Sequence, residues 1–126
     1  MRTCSVLLLM MLLLAGCGTT EQFQALPAGL DRSKVQTDTI QVTAHRYVFV
    51  PEDIHVKAGR VIVLKVTATD ATHGIEFTAF GIDERLEKGE TKLIEFYVPK
   101  PGTYDFKCSH FCGLGHFGMS GQVVAE

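Results

Sequence analysis

The chain has 126 residues, which is enough for one globular domain and too few for two. Its formal net charge is −2, and lysine and arginine form no cluster along the sequence. A weakly acidic chain without a basic patch lacks the charge that binds nucleic-acid phosphates, so the composition argues against a nucleic-acid-binding protein.

The N-terminal segment has the pattern of a bacterial lipoprotein signal. Arg2 precedes a short apolar run, residues 6–14, which is too short to span a membrane. The quartet Leu-Ala-Gly-Cys that ends at Cys17 resembles a lipobox, the signal in which the cysteine becomes lipidated. We therefore predict a signal peptide over residues 1–16 and lipidation of Cys17, which would anchor the protein in the cell envelope, on the extracytoplasmic side of a bacterial membrane. The alternative is an ordinary signal peptide and a secreted protein.

The rest of the chain divides into a polar lead-in and a region of strands. Residues 17–38 are polar and without a clear period, which predicts a tether behind the lipid. From Thr39 onward apolar residues alternate with polar ones, as in strands with one buried face. Turn signals separate these segments and no amphipathic helix is evident, so we predict an all-β domain over residues 39–126, a sandwich or small barrel. We interpret the charged run 83–90 as a solvated loop.

The segment CSHFCGLGHFGM, residues 108–119, contains most of the candidate functional side chains. Cys108, Cys112 and His116 are spaced four apart and could share one face of a helix. The three glycines of the segment disfavour that helix by about 1 kcal/mol each, relative to alanine. We therefore predict a glycine-rich loop that leaves a strand.

His73 is the upstream residue expected to meet this loop. It shares its parity with the inward-facing residues that follow it, and Cys108 shares its parity with those that precede it. The end of one antiparallel strand lies beside the start of its neighbour, so His73 and Cys108 should come together inside the domain.

The chemistry of these side chains favours a metal site. Soft sulfur ligands together with imidazole favour copper, whereas a thioether contributes little to zinc. The candidate set comprises two thiols, two imidazoles and one thioether: Cys108, Cys112, His73, His116 and Met119. A zinc site of two cysteines and two histidines remains an alternative, as does a Cys108–Cys112 disulfide in an oxidising compartment.

The segment resembles the CuA copper-binding loop of cytochrome c oxidase subunit II, which also occurs in nitrous oxide reductase. The family pattern is Cys-x-Glu-x-Cys-Gly-x-x-His-x-x-Met. The matching positions in this chain are Cys108, Cys112, Gly113, His116 and Met119. Upstream, TDATHGIEF, residues 69–77, is similar to the family's Asp-x-x-His stretch. The resemblance covers about residues 39–126 and implies a cupredoxin-like Greek-key fold.

The resemblance also implies a dinuclear copper centre. Cys108 and Cys112 would bridge two copper ions as thiolates. His73 and His116 would each bind one ion. Met119 would be a weak axial ligand, and the backbone carbonyl of His110 would supply the remaining axial contact. An apolar shell would come from five side chains: Phe77, Phe106, Phe111, Leu114 and Phe117.

This chain departs from the family pattern at three points. His110 replaces the family's Glu, so an imidazole ligand and a single-copper centre are an alternative. The usual transmembrane hairpin is not found, and the chain has no tryptophan to form the usual aromatic patch for electron entry. These differences leave open whether the protein is an oxidase subunit or a freestanding carrier.

The implied function is electron transfer rather than catalysis, since no catalytic triad, carboxylate pair or phosphate loop is evident. The protein would take electrons from a c-type cytochrome or a small copper protein and pass them to a terminal oxidase or reductase. The alternative is a protein that stores or delivers copper. A third reading is a domain in which a disulfide replaces the metal and which only binds partners.

Overall fold

The computed structural model describes residues 23–126, so the predicted signal peptide and Cys17 lie outside this range. Within it the chain forms nine strands and two single-turn 3-10 helices, Thr78–Phe80 and His116–Gly118. The strands are β1 Thr37–His45, β2 Val48–Val50, β3 Asp53–Val56, β4 Arg60–Ala68, β5 His73–Phe77, β6 Ile82–Leu86, β7 Thr91–Val98, β8 Gly102–Lys107 and β9 Ser120–Ala125.

The strands form two sheets, one in the order β2-β1-β4-β7 and the other in the order β3-β9-β8-β5-β6. β1 is antiparallel to β2 and parallel to β4, and β3 is parallel to β9. The chain crosses between the sheets five times, after β2, β3, β4, β6 and β7. This arrangement confirms the predicted all-β Greek-key sandwich.

Phenylalanine rings fill the space between the sheets. The ring of Phe77 lies 4.9 Å from that of Phe106 and 5.1 Å from that of Phe96, and Phe80 stacks on Phe96 at 4.7 Å. Each fully buried ring stabilises the fold by about 1.5–3 kcal/mol relative to an exposed one. Buried and exposed residues alternate along the strands, and this alternation fixes the strand register. The register in turn decides which side chains reach the end of the sandwich where residues 108–119 lie.

The prediction of a solvated loop over residues 83–90 is wrong for its first half. β6 is an edge strand that pairs with β5, and Leu86 opposes His73 in that ladder. Leu86 is buried, whereas Asp83 and Arg85 face solvent. An edge strand can carry charges on its open face, so the apolar alternation that signals a central strand is largely missing here.

The residues before β1 contact the domain. Phe23 N–H donates to the Ala79 carbonyl at 2.6 Å, and Tyr97 N–H donates to the Ala25 carbonyl at 2.7 Å. The Phe23 ring also packs against Tyr104 at 6.1 Å. Part of the segment predicted as a tether is therefore attached to the domain. No helix within residues 23–126 is long and apolar enough to cross a membrane.

Candidate metal centre

His73 and Cys108 lie at one end of the sandwich, on neighbouring strands. His73 is the first residue of β5, and Cys108 directly follows β8, which is the antiparallel neighbour of β5. The His73 side chain is fully buried, and its Nδ1 is 3.9 Å from the Cys108 sulfur. The approach predicted from strand parity is confirmed.

The segment 108–119 is a compact loop that turns back on its starting point. Cys108 N–H donates to the Met119 carbonyl at 2.9 Å, which closes the loop where β8 passes into β9. His116 N–H donates to the Gly113 carbonyl at 3.1 Å just before the short 3-10 turn, in which Gly118 N–H donates to the Gly115 carbonyl at 3.1 Å. The loop therefore directs Cys112, His116 and Met119 back toward Cys108, as the predicted glycine-rich loop requires.

The donor atoms form one cluster. The sulfurs of Cys108 and Cys112 are 3.7 Å apart, far beyond the roughly 2.05 Å of a disulfide, so both are free thiols. Cys112 lies 3.7 Å from His116 Nδ1 and 3.9 Å from the Met119 sulfur. The His110 carbonyl oxygen lies 3.2 Å from the Cys108 sulfur.

These separations suit metal binding. Two ligands at about 2.0–2.3 Å from one ion, with a tetrahedral angle between them, lie about 3.3–3.8 Å apart. The observed donor separations run from 3.2 to 3.9 Å, and His73, Cys108 and Cys112 all offer ligand atoms within 4.8 Å of one another. Thiolate, imidazole and thioether together suit copper, so the residues present fit that metal.

Asp70 orients the His73 ring. Burial works to raise the pKa of the Asp70 carboxyl, but hydrogen bonds from the Arg46 backbone N–H and from His73 outweigh it and lower the pKa to about 2. An ionised carboxylate only accepts, so His73 Nε2–H must donate across the 2.8 Å contact. This contact directs Nε2 toward Asp70 and Nδ1 toward Cys108, so that Nδ1 of the neutral ring could bind a metal.

The Cys112 thiol is held in its protonated form. Burial raises the pKa of this thiol, its contact with Cys108 adds to the effect, and the pKa rises to about 11. A metal that binds here must displace the proton, because the thiolate is the ligand.

His110 contributes its carbonyl to the cluster but not its ring. Its Nδ1 is 3.3 Å from the guanidinium of Arg85, which also contacts Glu87, the residue that follows β6. The carbonyl lies beside the Cys108 sulfur and the imidazole stays outside the donor set, while the contact of the carbonyl with a metal stays a prediction.

Three residues that support the loop were missed by sequence reasoning. Arg46 Nε donates to the Cys112 carbonyl at 2.7 Å, and the Tyr47 ring fills the space beneath two loop glycines. At Gly74, a Cβ would lie 2.7 Å from the His110 backbone nitrogen, so only glycine lets residues 109–110 cross β5 this closely. The first two lie in a turn without periodicity, and only the His-Gly pair at the start of β5 could have given a signal.

Only two of the five side chains expected in the apolar shell are buried, and one of these, Phe77, is at the end of β5 opposite to His73. Phe77 and Phe106 are buried, but Phe111, Leu114 and Phe117 are 62%, 95% and 89% exposed. The prediction that these last three cover the metal is wrong, because a loop has no alternation that turns apolar residues inward. Within the loop Cys112 and Met119 are buried and His116 is partly exposed, whereas these three side chains face solvent.

Comparisons with known proteins agree with this fold. The protein-family model of the cupredoxin-like domain matches residues 6–125. Cytochrome c oxidase subunit 2 of Thermus thermophilus is 33% identical over 88 residues, which cover 70% of this chain and 65% of that protein. Nitrous-oxide reductase of Stutzerimonas stutzeri is 27% identical over 100 residues, covering 76% of this chain and 15% of the reductase. The chain thus spans less than two thirds of the length of these relatives.

A solved structure shows the same architecture. The periplasmic domain of subunit II of cytochrome oxidase of Bradyrhizobium japonicum superposes with a TM-score of 0.65 at 21% identity, covering 70% of this chain and 83% of that one. At this identity the likeness shows the fold alone. The family match covers nearly the whole chain, and the fold and donor cluster agree with it, so the chain belongs to the cupredoxin-like family.

Proposed function

We propose that the protein is an electron carrier with a dinuclear, CuA-type copper centre. The observation that carries this proposal is the order of the donors. The two unbonded sulfurs lie in the middle, and one imidazole flanks each: His73 beside Cys108 and His116 beside Cys112. A mononuclear site would need both imidazoles to converge on one point, whereas two shared sulfurs between separated imidazoles suit two ions.

The side chains divide the work as follows. Cys108 and Cys112 would bridge the ions as thiolates, and His73 and His116 would bind one ion each. Met119 and the His110 carbonyl would be the weaker axial contacts. Copper supplies a reversible one-electron change when bound, and all bond-making chemistry would belong to a partner.

Burial of the ligands favours fast electron exchange. The exposed fractions of Cys108, Cys112 and Met119 are 4%, 5% and 1%, and His73 is fully buried. Water is therefore excluded from most of the cluster, and little solvent has to reorganise when its charge changes. Ligands fixed by two strands and a closed loop also change position little.

His116 is the ligand that reaches the surface. Its ring is partly exposed, and Phe111 and Phe117 flank it at centroid distances of 5.6 and 5.1 Å. Together with Leu114, these phenylalanines form an exposed apolar surface at the metal end, which we call the loop patch. Such a patch marks a surface for protein contact, so a c-type cytochrome or small copper protein would dock here as donor, and a terminal oxidase or reductase would be the acceptor.

Lipidation of Cys17 stays a prediction. Mass spectrometry of the mature protein should find an N-terminal cysteine that carries lipid, and Cys17→Ser should release the protein from the membrane fraction. A wild-type protein recovered in the soluble fraction would contradict the anchor and leave the copper proposal intact.

Metal stoichiometry with an EPR spectrum tests the centre. Purified protein loaded with copper should hold two ions per chain, with hyperfine structure showing one electron shared by both. Cys112→Ser is the matched control, since it removes one bridging sulfur and should abolish that pattern. One retained ion with a mononuclear pattern would refute the dinuclear centre. Rapid loss of copper to a Cu(I) chelator would favour storage or delivery, and oxidised thiols without copper would favour the disulfide.

A further inference from the structure

Arg46, in the turn between β1 and β2, contacts both parts of the metal centre. Its side-chain Nε–H donates to the Cys112 carbonyl at 2.7 Å, within the ligand loop. Its backbone N–H donates to Asp70 Oδ2 at 2.8 Å, and Asp70 Oδ1 accepts from His73 Nε2 at 2.8 Å. Arg46 therefore links His73, on β5, to the loop of residues 108–119. In sequence, His73 and Cys108 are 35 residues apart.

The turn that carries Arg46 is also wedged against the loop. A Cβ on Gly115 would overlap the Tyr47 ring, and a Cβ on Gly113 would lie 3.0 Å from Tyr47 Cε1. This packing supports the loop through the shape of the ring alone. The hydrogen bond from Arg46 is directional, so it can fix the Cys112 backbone where the ring contact cannot.

We propose that Arg46 is a positioning residue of the metal centre. In the metal-free protein it holds the Cys112 backbone at a fixed position relative to His73. This inference rests on the proposed function for its metal readouts. The guanidinium touches no ligand atom and acts only through the Cys112 carbonyl and, by the backbone, through Asp70. Residues in this outer position contribute roughly 10- to 100-fold to metal affinity where their role has been measured.

Two substitutions of equal length separate the hydrogen bond from the bulk and charge of the side chain. Arg46→Gln keeps an N–H donor at the same number of bonds from Cα as arginine Nε. Arg46→Met fills the same space without a donor, and both variants lose the positive charge. Arg60→Ala is the control, since Arg60 likewise makes a side-chain hydrogen bond but pairs with Asp38, near the start of β4 and away from the donor cluster.

Three readouts are measured on the full-length protein. The first is copper affinity by competition with a chelator, and the second is the EPR spectrum of the loaded protein. The third is backbone amide exchange of residues 109–119 in the copper-free protein. The third readout decides the positioning role even when copper is left out.

Arg46→Met should weaken copper binding by about 10- to 100-fold, alter the EPR pattern and speed amide exchange in the loop but not in β4. Arg46→Gln should restore affinity to within about threefold, and Arg60→Ala should match the wild type. Wild-type behaviour of Arg46→Met would overturn the proposal, as would a Gln variant as weak as the Met variant, which would assign the effect to charge. If wild-type protein retains no copper, the proposed function fails, and unchanged loop exchange in Arg46→Met would separately refute the positioning role.

Discussion

Replacing Gly74 with alanine places a methyl group where the turn of residues 109–110 crosses β5. The new Cβ would lie 2.7 Å from the His110 nitrogen and would overlap the Ser109 hydroxyl. The serine side chain can rotate away, but the backbone nitrogen cannot. An ordinary contact begins near 3.4 Å, so the two backbones must separate by about 0.7 Å.

That shift has two measurable consequences. Overpacking of this kind destabilises a fold by about 1–3 kcal/mol, which corresponds to a fall in Tm on the order of 5–20 °C for a domain of this size. The His110 carbonyl, now 3.2 Å from the Cys108 sulfur, would move with its backbone. The EPR and absorption spectra of the copper-loaded variant should therefore differ from those of the wild type.

Gly118→Ala is the matched control for Gly74→Ala. Gly118 belongs to the loop that crosses β5 at Gly74, but a Cβ on Gly118 would meet nothing within 4 Å. Differential scanning calorimetry of both copper-free variants, followed by EPR after loading, compares them directly. Equal Tm values and equal spectra for the two variants would show that the close approach at Gly74 does not determine the position of the His110 carbonyl.

Three further predictions concern the donor cluster and the surface above it. Met119→Leu keeps the buried volume, so the copper-free protein should change in stability by less than about 1.5 kcal/mol, whereas the reduction potential of the loaded protein should shift as the thioether is lost. Because folding raises the Cys112 pKa from 9.0 to about 11, its contribution to the stability of the copper-free protein is complete below pH 9 and disappears as pH rises to 11. Urea titrations across this range should show the decline, and Cys112→Ser should flatten it. Leu114→Glu should slow electron transfer from a docking partner by about tenfold and leave the EPR spectrum unchanged. The control is Leu93→Glu, at an exposed position on β7. Equal electron-transfer rates for the two variants would contradict docking at the loop patch.

Alternation of buried residues made part of the site predictable. His73 and Cys108 each extend the inward parity of a strand, and the structure places them side by side at the end of adjacent strands. The glycines of residues 108–119 likewise predicted a loop rather than a helix. Both inferences depend on local backbone preferences, which a single sequence expresses directly.

The features that escaped prediction depend on contacts between distant segments. Arg46 lies in a turn, where no period shows which way a side chain points, and its partner Cys112 is 66 residues away. Phe111 and Phe117 were expected to be buried because they are apolar, yet the loop that turns its ligands inward leaves them outside. β6 was missed because an edge strand needs only one buried side, which its charged residues obscure.

The contacts of Phe23 place the start of the described chain at the pole of the sandwich opposite the donor cluster. β5 runs from His73 at one pole to Phe77, roughly 13 Å away, and Ala79, which accepts the Phe23 N–H, lies beyond that end. A membrane attachment that reaches the domain through Phe23 would therefore hold it by its far pole. The end that carries the donor cluster and the loop patch would then point away from the membrane. A diffusing partner could reach it without a rotation of the domain.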